Sequence, residues 1–315
     1  KIVNNLPQQD WVLGGHLKLQ LDERTAADVI KNVREVYIEK YAAAWETTIN
    51  YKPKMELKNL KETAEDLKVL ASDNSPLIGL LQQIKTNTNI DNAPASFAKE
   101  IDAKLKGLGE IDISDLQQNL SNLAHHFVRL SQNQDYDKAA FDSMVNYLQN
   151  ENTGFLATFK SFSGKQPHIL QAWLQSIVKD SCFILLKSSQ AHVNKAWGVT
   201  IVPRYQKMLA NKYPLFKDSK DEISFGDFNK FFGPHGLIDD FFNKYIKHFV
   251  KTEKTNWTWK NIDGQAIDFS QRSLEVFLRA ALIQKMFYSY KTSEPKVKYT
   301  LVPGDMTPNT QSFTL

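Results

Sequence analysis

Residues 213–250 read YPLFKDSKDEISFGDFNKFFGPHGLIDDFFNKYIKHFV, with eight phenylalanines and two tyrosines divided by Gly233-Pro234. Before the break, Ile223, Phe225, Phe228, Phe231 and Phe232 recur mostly at three- and four-residue steps, one side of a 3.6-period helix. After it, Leu237, Ile238, Phe241, Phe242, Tyr245, Ile246 and Phe249 do the same over three turns. Ser224 suits the N-cap of the first helix, with Asp227 three residues on completing a capping box. Proline lacks an N–H and disfavours helical geometry in the residue before it, so Gly233-Pro234 ends that helix. The pattern predicts a helical hairpin with an aromatic face. Each large apolar side chain buried contributes roughly 1.5–3 kcal/mol. Phe225, Phe228, Phe231, Phe232, Phe241 and Phe242 are therefore expected to form structural core rather than a cofactor pocket.

Working outward, helical periodicity dominates. A long helix is expected over 25–50, opened by Thr25 and Asp28, with Val29, Val33, Val36, Tyr37, Tyr41 and Trp45 as its apolar stripe. Another over 56–72 turns Leu57, Leu60, Ala64, Leu67 and Leu70 inward. Ser75-Pro76 starts a short one, and the polar, Asn-rich 86–94 segment reads as a loop. A short helix over 97–105 follows, and Ser114 and Gln117 cap the next, which runs to about 130. Stretches 141–148 and 155–162 are further helical pieces. Pro167 opens the longest helix, which Gly198 ends or kinks and Pro203 breaks. Asp263-Gly264 signals a turn in the polar 251–268 region, and 274–290 is a final strong helix. Leu17, Leu19 and Leu21 alternate like a strand, as do Val297, Tyr299 and Leu301. The expected fold is mainly α: an elongated multi-helix body with a short C-terminal β segment, the start of a β-domain continuing past residue 315. The expected divisions are an N-terminal helical subdomain over 1–165, a C-terminal one over 166–294, and 295–315 beginning the β-domain.

The chain has 315 residues, 42% hydrophobic and 23% charged, as in a soluble globular protein. Its net charge of +4 is scattered without a polybasic run, so nothing supports nucleic-acid binding. No apolar run approaches the roughly 20 residues a membrane helix needs, so these residues are not expected to insert in a bilayer. Cys182, the single cysteine, lies in the apolar run CFILL and reads as a buried small hydrophobe.

The catalytic inventory is thin. GFLATFKS at 154–161 approaches a phosphate loop, but Phe159 stands where the second glycine must be. His125 and His126 are adjacent and project about 100° apart on a helix, unlike the i, i+4 spacing of metal helices. His235 and Asp239 invite an acid–base reading, yet acidic residues at Asp239 and Asp240 also suit a helix N-terminus. No catalytic, cofactor-binding or metal-ligating residue is therefore assigned, and no cofactor is expected. Trp257 and Trp259 are the candidate partner-binding pair.

Six segments in order carry a resemblance: VREVYIEKYAAAW (33–45), DNSPLIGLLQQIKTNT (73–88), KYPLFKDSKDEISFGDFNKFFGPHGLIDDFF (212–242), the Trp257/Trp259 region, LEVFLRAALIQKMFY (274–288) and PKVKYTLVP (295–303). Together they resemble the periplasmic region of the IcmF/TssM family, large inner-membrane subunits of type VI and Dot/Icm (type IVB) secretion systems. The resemblance implies a helical periplasmic body after transmembrane helices, then a β-domain that in type VI systems contacts an outer-membrane lipoprotein. It also implies partnership with a DotU/TssL-like inner-membrane protein. Some members carry an upstream cytoplasmic nucleotide-binding domain, which nothing here matches, and the family offers no catalytic residues to carry over. The expected function is a non-enzymatic scaffold in a secretion-system membrane complex of either type. The rival reading is a helical hydrolase or nucleotide-binding protein using Lys160 and Ser161, or His235 and Asp239. That rival requires a concave polar pocket.

Overall fold

The computed structural model describes residues 23–49, 58–88, 99–100, 103, 111–149, 153–253, 256–288 and 295–296. The fold is mainly α, and the chain divides into two compact units, residues 1–185 and 186–315. The division falls inside a long helix, later than the sequence boundary at 165/166.

In the first unit, α1 spans Glu23–Ile49, α2 Leu60–Ala71, α3 Pro76–Thr88, α4 Ile113–Ser131, α5 Tyr136–Gln149 and α6 Phe155–Gly164. The most extensive packing is α2 against α4, through Leu60, Ala64 and Leu67 on one helix and Leu116, Leu120, Leu123 and Phe127 on the other. These side chains recur at three- and four-residue steps, so each helix buries one stripe. Gln117 Nε2 donates to Asp73 Oδ1 at 2.7 Å from the rim of that interface. The cap of α4 differs from expectation: Asp112, not Ser114, accepts the N–H groups of Ser114 and Asp115. An aspartate two residues earlier captures two of the four orphan donors, which leaves Ser114 inside the first turn. Helix α1 likewise begins at Glu23, so Thr25 lies within it rather than capping it. On α1, among the described side chains, Ile38 and Ala42 are buried, whereas Val33, Val36 and Tyr37 of the expected stripe are exposed.

Helix α7, His168–Thr200, crosses from one unit into the other. It buries a broad stripe, Leu170, Leu174, Val178, Cys182, Leu185, Ser189 and Val193 at three- and four-residue steps, widened by Trp173, Ile177, Ser181 and Ile184, while Phe183 faces outward. Gly198 does not end it. The helix continues to Thr200 and breaks at Ile201, before α8, Val202–Met208, where Pro203 occupies the first turn.

The second unit holds the aromatic hairpin. Helix α9 spans Phe225–Phe232, with Ser224 Oγ accepting the Asp227 N–H at 3.1 Å and Gly233 as C-cap. Helix α10 spans Leu237–Phe241 and then changes pitch, to a π turn over Phe242–Ile246 and a 3₁₀ turn over Lys247–Phe249. The buried positions explain this. Ile238 to Phe241 is a three-residue step, Phe241 to Ile246 a five-residue step, and Ile246 to Phe249 a three-residue step. A regular helix rotates the middle pair about 140° apart, whereas i→i+5 bonding keeps both on the core side. Phe242 and Tyr245 consequently stand half-buried at the edge of the core. Phe231, Phe232 and Phe241 are buried and Phe228 is half-buried, but Phe225 is 79% exposed. The expectation that Phe225 belongs to the core is corrected: it is the first residue of α9, ahead of the turns that pack inward.

Strands β1, Val250–Glu253, and β2, Asn256–Trp259, pair antiparallel with Val250 opposite Trp259 and Thr252 opposite Trp257. The Asp263-Gly264 signal marks a separate tight turn, closed by reciprocal backbone bonds between Ile262 and Gln265. Both central residues have positive φ, 50° and 81°, as a type I′ turn requires. Helix α11, Gln271–Phe287, completes the unit with Ser270 as N-cap. The expected strands at 17–21 and 297–301, Leu57, and most of the 97–105 helix and the 86–94 loop lie outside the described residues. The described part of that loop, Thr86 to Thr88, is the end of α3.

Candidate partner-binding hairpin

Residues i and i+2 of a strand share a face, so Trp257 and Trp259 project from the same side of β2. Both are half-buried. Trp257 stacks on Phe242 with ring centroids 4.9 Å apart and planes at 30°. Trp259 packs on Phe269 at 5.5 Å. Gln271 Nε2 donates to the Trp257 carbonyl at 3.1 Å, which ties the hairpin to the start of α11. Each indole borders a hollow. One, of about 190 Å³, is lined by Trp197, Phe241, Trp259, Phe269 and Phe277. The other, of about 260 Å³, is lined by Phe242, Asn243, Lys247 and Trp257. Trp259 Nε1 is buried without a hydrogen-bond partner among the described residues. Burial, reinforced by Lys260 and Lys247, holds the nearby His248 below the usual histidine range. The arrangement is aromatic and half-shielded, suited to apolar recognition.

The other candidates do not converge on one another. Gly154 is the N-cap of α6, so the near-match to a phosphate loop is helix from Phe155 onward. Phe159 is buried there, while Lys160 and Ser161 are exposed. On α4, His125 Nδ1 bonds the Ser121 carbonyl on the exposed side. His126 faces Phe155 and Ser143 instead. Arg129 can only donate, so His126 Nδ1 accepts from it at 3.1 Å and Nε2–H donates to Ser143 Oγ at 3.2 Å. Burial, followed by the Arg129 charge, lowers the His126 pKa to about 4. The imidazole is neutral at ordinary pH. Burial also raises the Asp180 carboxyl above its usual range, with Lys179 and Ser176 opposing.

His235, Asp239 and Asp240 do gather, with ligand atoms within 4.8 Å of one another. His235 and Asp240 are exposed and Asp239 is half-buried beside the 260 Å³ hollow; Asp239 Oδ2 accepts the His235 backbone N–H at 3.1 Å while Oδ1 accepts from Asn243. Asp239 therefore organises the start of α10, the helix-terminus role its position suggested. Sequence reasoning did not anticipate the hollows beside the tryptophans, because they depend on the change of pitch after Phe241.

Two family descriptions match this chain in order. Residues 1–89 match the IcmF-related family, described by intracellular multiplication and human macrophage-killing, and residues 188–291 match the type VI secretion protein IcmF helical domain. The chain belongs to the IcmF/TssM family. It is 23% identical to type VI secretion system component TssM1 of Pseudomonas aeruginosa, over 98% of this chain and 32% of that protein. It thus spans about a third of the length of that relative. Two solved structures share the fold. A chain of a type VI secretion system membrane core complex superposes with a TM-score of 0.65 at 15% identity, covering 92% of this chain and 61% of the other. A chain of a type VI membrane complex gives 0.59 at 13%, covering 93% and 62%. Among the described residues, no helix is long and apolar enough to cross a membrane.

Proposed function

We propose that these residues form the periplasmic helical body of an IcmF/TssM-type inner-membrane component, acting as a non-enzymatic scaffold in a secretion-system membrane complex. The observation that carries this reading is the pair of family matches at 1–89 and 188–291, joined by a fold likeness covering more than nine-tenths of the chain. The exposed settings of Lys160, Ser161 and His235 also favour it over a hydrolase, which needs its groups together in a shielded pocket. Asp239 is half-buried beside the 260 Å³ hollow, but its carboxylate is engaged by the His235 backbone N–H and by Asn243. The mechanism is recognition by packed helical surfaces, with a DotU/TssL-like inner-membrane protein as partner. An outer-membrane lipoprotein is a further partner in this reading. Trp257 and Trp259 serve in this reading as contacts for another subunit.

Pull-down of the full-length protein should recover the DotU/TssL-like partner, and recovery of no envelope component would overturn the proposal. Location is testable with Phe225→Cys, because residue 225 is exposed and the native Cys182 is buried. A membrane-impermeant maleimide should label that variant once the outer membrane alone is opened. Labelling only after lysis of the inner membrane would place the body in the cytoplasm. Trp257→Ala should weaken partner recovery without loss of helical signal, whereas normal recovery removes the pair from the interface. Neighbouring genes for one apparatus or the other decide between type VI and Dot/Icm.

A further inference from the structure

The β1–β2 hairpin has one open edge. Lys260 N–H donates to the Phe249 carbonyl at 2.8 Å, which continues the strand register by one pair. Antiparallel pairs alternate between hydrogen-bonded and non-bonded, so Lys251/Thr258 and Glu253/Asn256 are bonded while Val250/Trp259 and Thr252/Trp257 are not. The backbone groups of Val250 and Thr252 therefore point away from β2. Val250 N–H is taken by the Lys247 carbonyl. Thr252 N–H and C=O have no partner among the described residues.

The other edge is covered: β2 packs on α11, where Gln271 Nε2 donates to the Trp257 carbonyl. Along the open edge Lys251, Thr252 and Glu253 are exposed, with neither proline nor bulge to interrupt pairing. Such an edge is a template for a further strand.

Charge and hydrogen bonding identify that strand. Lys251 and Glu253 are the only charged residues in β1 and β2, and they share the face opposite Trp257 and Trp259. Neither is in an ion pair among the described residues. A second copy of β1, antiparallel across a two-fold axis, can be centred on any residue of the strand. Centred on Val250, it meets an N–H already in use. Centred on Lys251 or Glu253, it sets like charges directly opposite each other. Only Thr252 at the centre can exchange both backbone bonds with its own copy, and that register sets Lys251 opposite Glu253 of the second copy, twice by symmetry. We infer that β1 pairs edge to edge with β1 of a second copy of this chain, joining the two hairpins into one four-stranded antiparallel sheet about Thr252. The charges that deter other strands become complementary in this pairing. The inference needs only this chain and stands apart from the secretion-system reading.

The test is sedimentation equilibrium of the full 315-residue chain at rising concentration. The native chain should dimerise. Lys251→Glu sets glutamates opposite each other and Glu253→Lys sets lysines opposite each other, so each variant alone should associate roughly tenfold more weakly. Mixed in equal amounts, the two variants should pair with each other at native affinity, because every charge again meets its opposite. Thr252→Pro removes the outward N–H, leaves the bonds to β2 and should abolish the dimer, whereas Thr252→Val should keep it. If the proline unfolds the hairpin, the exposed charge variants decide alone. A monomer at every concentration, dimerisation indifferent to the single charge reversals, or failure of the mixed variants to pair would each overturn the inference.

Discussion

Phe241 and Ile246 lie five residues apart and both are buried, because the helix between them widens into a π turn. Phe241 meets Trp197 edge-on at 5.1 Å, Tyr245 at 4.7 Å and Phe277 at 6.3 Å, and so joins α7, α10 and α11. Phe241→Ala should therefore lower stability by about 3–5 kcal/mol, the range for aromatic truncation in a packed core. Phe225→Ala should change it by less than about 0.5 kcal/mol, because that ring is exposed. Urea unfolding of both variants checks the pair. Equal losses would mean that Phe225 is covered.

Two glycines should respond in opposite directions. A Cβ on Gly233 would lie 2.5 Å from the Asn229 carbonyl oxygen, a backbone atom that cannot swing aside, whereas one on Gly198 meets nothing within 4 Å. Gly233→Ala should thus destabilise the α9–α10 hairpin by about 1–3 kcal/mol. Gly198→Ala, inside α7, should stabilise by about 0.5–1 kcal/mol through reduced freedom of the unfolded chain. Thermal melts moving in opposite directions are the expected result.

Helix type and order were legible because the apolar steps are long and regular, as in α4, where Leu116, Leu120, Leu123 and Phe127 all turn inward. Which face of a helix finds a partner was less so. On α1, Val33, Val36 and Tyr37 form as good a stripe as Ile38 and Ala42, and only tertiary packing chose the latter. That Gly198 does not end α7 follows from the small local cost of one glycine, only about 1 kcal/mol in a helix of 33 residues. At the candidate site, Trp257 and Trp259 could be singled out as residue types. Their stacking on Phe242 and Phe269 depends on the π turn and on the β1–β2 register, neither of which local propensity encodes.

The start of α4 offers a sharper check on local chemistry. Asp112 Oδ1 accepts the N–H groups of both Ser114 and Asp115, at 2.9 and 3.1 Å. Asp112→Ala should cost about 1 kcal/mol, as loss of an N-cap does, and Ser114→Ala should be nearly neutral. Chemical denaturation of the two single variants distinguishes them, and a larger loss for Ser114→Ala would return the cap to the position expected from sequence.

His126 gives the chain a specific acid sensitivity. Its folded pKa is about 4, lowered first by burial and then by Arg129, whereas an unfolded histidine titrates near 6.5. Between those values the unfolded chain binds the proton and the folded one does not, so protonation favours unfolding. The contribution from His126 is fully present above about pH 6.5 and declines as pH falls toward 4. Urea midpoints should therefore decrease between pH 7 and pH 5, before ordinary carboxylates titrate. In His126→Phe that slope should flatten, whatever the change in absolute stability. NMR titration of the ring should give an apparent pKa near 4, and a value near 6.5 would show that the Phe155 contact does not shield it.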